Sequence, residues 1–92
     1  VNSNKVQAMK IKFYSDPGHG WGAVKRHVLY DLGIADKITT CSYQKGATVY
    51  LEEDCDLPTL TTALSAKGIW VEHIEKHTDG RSPIRSYDRF QA

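Results

Sequence analysis

The sequence predicts an α+β fold of the ferredoxin-like class, a βαββαβ chain with a four-stranded antiparallel sheet and two helices on one face. Three observations predict it. Runs with strand character occur four times along 92 residues. Two runs with helical spacing lie between them and each stops at a Gly-Ile pair, Gly33-Ile34 and Gly68-Ile69. The two stops are about 35 residues apart, close to the length of one βαβ unit.

The elements follow in order. Met9 to Tyr14 alternates with period two, with Met9, Ile11 and Phe13 on one face and Lys10, Lys12 and Tyr14 on the other. Ser15 to Gly22 interrupts it. From Trp21 the apolar positions are Trp21, Val24, Val28, Leu29 and Leu32, which is helical spacing, and Gly33 supplies a left-handed stop. Lys37 to Tyr43 is β-branched and aromatic and predicts a second strand. Gln44-Lys45-Gly46 turns it into a third, Ala47 to Glu52. Asp56 is placed to cap a second helix and Pro58 suits its first turn. Leu57, Leu60, Ala63 and Leu64 form its buried stripe. Trp70 to Glu75 predicts the fourth strand. The expected organisation is a leader over 1–8, the domain over 9–78 and a basic, aromatic C-terminal tail over 79–92.

Composition narrows the function classes. The net charge is +1, so no global bias favours nucleic acid or anionic membrane, although a local basic patch is compatible with it. No apolar run is long enough to span a bilayer and none resembles an export signal, so the expected location is cytoplasmic. Cys41 and Cys55 form no CxxC pair and read as reduced, small, buried hydrophobes.

In the predicted topology the first and third strands are central, parallel neighbours. The loop after the first, Asp16 to Gly22, should then meet Glu53 to Asp56. Asp16, Gly18, His19, Gly20, Trp21, Glu53, Asp54 and Asp56 are the candidate ligand-binding residues. Dense glycine permits close approach, and a helix N-terminus favours a phosphate or carboxylate. The spacing fits neither GxxxxGK[ST] nor GxGxxG, and a capped tight turn anchored by Trp21 explains the loop equally well. His19 with Asp16, Asp54, Asp56 and Cys55 lacks any specific metal spacing, so no metal or cofactor is expected. No catalytic residue is assigned, and a non-enzyme is expected.

The face of the sheet opposite the helices should carry Lys10, Lys12, Tyr14, Thr48 and Tyr50. Aromatics on two adjacent strands are how an RNA recognition motif stacks bases, and Lys45-Gly46 opens like its RNP1 segment before Ala47, Val49 and Glu52 depart from it. Arg81, Arg85 and Arg89 recur every four residues in the tail, with Ile84, Tyr87 and Phe90 between them. Arginine and aromatics are common interface residues. Lys12, Tyr14, Tyr50, Arg81, Arg85, Tyr87, Arg89 and Phe90 are therefore the candidate partner-binding residues. A tail packed back on the domain is the competing reading.

Several segments resemble small uncharacterised proteins of tailed bacteriophages and prophages. They are Phe13-Tyr-Ser-Asp-Pro-Gly-His-Gly-Trp21, Leu32-Gly-Ile-Ala-Asp-Lys37, Thr48-Val-Tyr-Leu-Glu-Glu-Asp-Cys-Asp56 and His77-Thr-Asp-Gly-Arg-Ser-Pro-Ile-Arg-Ser-Tyr87. The resemblance carries no catalytic or binding residues. It implies a phage accessory protein in a bacterial cytoplasm that binds a host or phage macromolecule. A protein partner leads; nucleic acid and a homodimer stay open, and no membrane is expected. The alternative is binding of a small ligand, a nucleotide or single-stranded nucleic acid, at the glycine-rich loop or on the open sheet face.

Overall fold

The computed structural model describes residues 7–92. Among them six strands form one sheet. β1 (Gln7–Ser15) keeps the expected alternation, with Ile11 and Phe13 buried and Lys10 and Lys12 exposed. It begins at Gln7, inside the span expected as a leader; residues 1–6 of that span lie outside the described residues.

Asp16 to His19 turn the chain directly back into β2 (Gly20–Lys25), antiparallel to β1, with Tyr14 opposite Trp21 and Lys12 opposite Ala23. The helix expected from Trp21 is thus a strand followed by one short helix, α1 (Arg26–Asp31). The glycines explain the difference. Gly20, Gly22 and Val24 face the core, and a Cβ on Gly22 would lie 2.7 Å from Leu57 Cδ1. A Cβ on Gly20 would meet the Phe13 ring. Period two is present here, but two of its three core positions have no side chain to reveal it.

The stretch expected as a strand from Lys37 is a 3₁₀ turn at Ala35–Lys37 and then irregular chain. Pairing begins only at β3 (Tyr43–Lys45), which forms a hairpin with β4 (Thr48–Glu52) around Gly46. α2 (Leu57–Ser65) buries Leu57, Leu60 and Leu64. Gly33 and Gly68 both hold left-handed backbone, with φ of 72° and 75°, after α1 and α2. β5 (Ile69–His77) pairs in parallel with β1. A second 3₁₀ helix, Pro83–Ser86, precedes β6 (Asp88–Arg89), which pairs with β3.

The sheet order is β5-β1-β2-β4-β3-β6. This corrects the ferredoxin-like expectation: the sheet is six-stranded and mixed, with one parallel pair, and β2 lies between β1 and β4. The core lies on one face, where Ile11, Phe13, Val24, Val49 and Leu51 meet Leu29, Leu57, Leu60 and Leu64. Among the described residues no helix is long and apolar enough to cross a membrane.

Candidate functional site

The tail determines what the other face can do. After β5 the chain crosses from one edge of the sheet to the other, reaching β3. On the way Ser82 and Ile84 become buried, and Phe90 enters the core. Asp16 anchors this crossing. Its carboxylate accepts from Arg85 Nε at 2.7 Å and from Arg85 Nη2 at 2.8 Å, a two-point pair. It also accepts from the backbone N–H of Ser82, Gly18 and His19. Arg85 first, and then these N–H groups, hold the Asp16 carboxyl far below the usual carboxylate range.

The glycine-rich loop is therefore engaged by its own chain. Asp16 and His19 N–H close it as a side-chain turn, and a Cβ on Gly18 would fall 2.7 Å from Arg85 Nη2. The loop leads into a strand and not into a helix N-terminus. Gly20 does lie beside Glu53, and His19 and Trp21 beside Glu52 at the end of β4, while Asp16 and Gly18 face the tail. The contact arises because β2 pairs with β4, not because two parallel strands end together. Glu53 N–H donates to Gly20 O, and His19 Nδ1 is 3.4 Å from Glu52.

Asp56 belongs to a different cluster. It is 1% exposed and stands before the first turn of α2 without capping it through its side chain. The carboxylate turns instead to Thr39 N–H, Thr39 Oγ1 and Ser42 Oγ, the last at 2.6 Å. Those three donors take the acceptor capacity expected for the helix N-terminus. Ser42 Oγ in turn accepts from Glu52 N–H. Asp54 is exposed at the surface. Cys41 and Cys55, expected as buried, are both exposed, and their sulfurs lie 2.8 Å apart. Among the described residues no group of three or more His, Cys, Asp or Glu is placed to hold a metal ion.

The second candidate region is the sheet face opposite the core. The register places Tyr43, Tyr50, Ala23 and Lys12 in one row across it, and Lys45, Thr48 and Lys25 in the next. Tyr14 meets Tyr50 edge-on at 5.9 Å, and Tyr50 meets Tyr87 of the tail at 5.3 Å. Lys45 Nζ sits 4.8 Å from the Tyr87 ring centroid. Partial burial, and then the neighbouring phenols of Tyr87 and Tyr14, raise the Tyr50 hydroxyl above its ordinary range, so it stays a neutral donor. A depression of about 380 Å³ opens beside these rings, with Lys10, Lys12, Lys25 and Thr48 among its lining residues.

Trp21 is on the same face but 1% exposed. Arg85 lies over its ring at 5.4 Å, and Tyr43 packs against it edge-on at 6.3 Å. Arg89 covers Tyr43 at 4.5 Å. Of the candidate partner-binding residues, Lys12, Tyr14, Tyr50 and Tyr87 share this face. Arg85 and Arg89 hold its far end, Arg81 is exposed, and Phe90 is core. Lys25 and Tyr43 belong here too. Alternation in Trp21-Gly-Ala-Val-Lys25 was the signal for Lys25, hidden by the glycine.

Comparison with protein-family models, curated proteins and solved structures finds no match to this chain.

The arrangement offers π-faces and ammonium groups on a broad open surface. Single-stranded nucleic acid uses these two kinds of contact together, bases on rings and phosphates on cations.

Proposed function

We propose that this protein works by binding rather than by catalysis, and that single-stranded nucleic acid is the ligand class its open sheet face fits best. One observation carries the reading: Tyr14, Tyr50 and Tyr87 form a continuous ring cluster with Lys10, Lys12, Lys25 and Lys45 around it. The tail supports it by leaving this half of the face open while closing the half around Trp21. The likeness of several segments to small tailed-phage proteins supplies a context, an accessory protein acting on host or phage nucleic acid in a bacterial cytoplasm.

Fluorescence anisotropy with labelled oligothymidylate and oligouridylate at low salt tests the proposal. Binding is expected, weakening as salt rises. Tyr14→Ala should weaken it by roughly 5- to 150-fold, the loss of one stacked base. Lys12→Gln should weaken it less and reduce the salt dependence. No binding of either oligomer by a folded protein, or binding indifferent to both substitutions, would overturn the reading.

A further inference from the structure

Cys41 borders the Trp21 and Tyr43 end of the face described above, and its exposed thiol meets that of Cys55. Cys55 donates its S–H to Cys41 Sγ at 2.8 Å, closer than two sulfurs approach in ordinary packing. The segments that carry them are already tied together. Asp56, next to Cys55, holds Thr39 and Ser42 on either side of Cys41. Thr39 Oγ1 also bonds both Cys55 Sγ, at 3.3 Å, and Cys41 N–H. A disulfide here would need the sulfurs to close by less than an ångström or so, between segments already held together by Asp56 and Thr39. We infer that Cys41 and Cys55 form a reversible intramolecular disulfide by exchange with a small-molecule disulfide.

The steps balance as follows. Cys41, whose sulfur accepts the hydrogen bond from the Cys55 S–H, loses its own proton to solvent and attacks the disulfide RSSR as the thiolate, giving a Cys41–SR mixed disulfide and RS⁻. Cys55 then loses its proton to solvent and attacks Cys41 Sγ, expelling the second RS⁻. The dithiol is oxidised by two electrons, RSSR is reduced to two RSH, and no other reactant is needed. Donation to Cys41 keeps the Cys55 proton in place above its ordinary range, which fits Cys55 as the resolving thiol.

Glutathione disulfide is the probe. Intact mass should show the protein two hydrogens lighter, with no lasting adduct and no titratable thiol. The oxidised form should melt roughly 10–20 °C higher, as closing a loop of this length predicts. In Cys55→Ser the Cys41 adduct should persist; both cysteines are exposed, so the reduced variant should melt as the parent does. Stable glutathione adducts on both cysteines of the parent, or two unmodified thiols in an excess of the probe, would overturn the inference.

A separate observation concerns the β5 edge. β5 is nine residues long, pairs among the described residues only with β1, and exposes Trp70 by 66% and Ile74 by 41%. Thr78 N–H donates to Ser15 O, so even-numbered residues turn their backbone groups to β1. His73, Glu75, Val71 and His77 then present theirs outward. Such an edge invites pairing unless its side chains oppose it. Here they favour a second copy. With two β5 strands antiparallel about Ile74, Glu72 faces Lys76 and His73 faces Glu75, each pair made twice. Moving the axis one residue sets His73 against His73 or Glu75 against Glu75.

We propose that two copies of the chain pair through β5 in this register. Ile74 would form a non-hydrogen-bonded pair with its counterpart, Cα atoms about 4.5 Å apart, within disulfide range. Sedimentation should show a dimer in the parent, monomers in Lys76→Glu and in Glu72→Lys, and a dimer again in the double exchange. In a Cys41→Ser, Cys55→Ser background, Ile74→Cys should cross-link and Val71→Cys should not. A parent that stays monomeric at high concentration, or a double exchange that stays monomeric, would overturn the proposal.

Discussion

At the scale of single residues, two buried carboxylates do different work from the one their neighbours in sequence suggest. Asp16 looks like a ligand-binding residue in a glycine loop, yet its partner is Arg85 in the tail. Its folded carboxyl lies far below the ordinary 3.8. The unfolded chain therefore binds more protons in acid, and stability rises with pH there. The contribution of this pair is complete above about pH 5 and drains away as pH falls below about 4. Asp16→Asn should lower the melting temperature by several degrees at pH 7, and the gap from the parent should narrow towards pH 3. A gap that stays constant would refute this assignment. Asp56→Ala leaves the buried Ser42 Oγ, and the Thr39 N–H beside it, without their acceptor. Urea denaturation should show a loss of roughly 2–4 kcal/mol. Gly22→Ala drives a methyl into Leu57 and should cost about 1–3 kcal/mol, read the same way.

At the scale of elements, legibility followed where the information lies. α2 was readable because its stripe Leu57, Leu60, Leu64 and its stop at Gly68 are local. β4 and its turn at Gly46 were readable for the same reason, whereas β3 lies at Tyr43–Lys45 and not over the stretch from Lys37. β2 was not readable, since Gly20 and Gly22 leave its core face without side chains, and Trp21 and Val24 fall in helical spacing with Val28 and Leu29 of α1. That one misreading displaced the sheet order, because a βα unit and a ββ hairpin send the chain to different places. The site divides likewise. Lys12, Tyr14 and Tyr50 were legible from alternation. The Asp16–Arg85 pair and the Cys41–Cys55 contact join distant residues, and no local pattern announces either. The tail is an element of the fold by the same evidence, since Ile84 and Phe90 are buried. Ending the chain after Asp79 should uncover Trp21, shift its fluorescence to the red and abolish a sharp unfolding transition. A truncated protein with unshifted emission would show that the tail is dispensable.

At the scale of the whole molecule, the two proposed surfaces have a joint consequence. A two-fold axis between the paired β5 strands, perpendicular to the sheet, keeps both tyrosine faces on the same side. From β4 of one copy to β4 of the other there are seven strand spacings by the observed order, or roughly 34 Å. One strand of nucleic acid long enough to reach both clusters would then bind twice, with the second contact made at high effective concentration. Short oligothymidylates cannot do this. Affinity should therefore climb steeply once the oligomer exceeds that span, and only in the paired protein. Lys76→Glu, which separates the copies, should flatten the length dependence while leaving short oligomers bound as before, because Tyr14, Tyr50 and Tyr87 are untouched. A steep length dependence that survives in Lys76→Glu would mean that the two surfaces are independent. Loss of short-oligomer binding in the same variant would mean instead that Lys76 itself belongs to the nucleic-acid face, next to Tyr14, its register neighbour on β1.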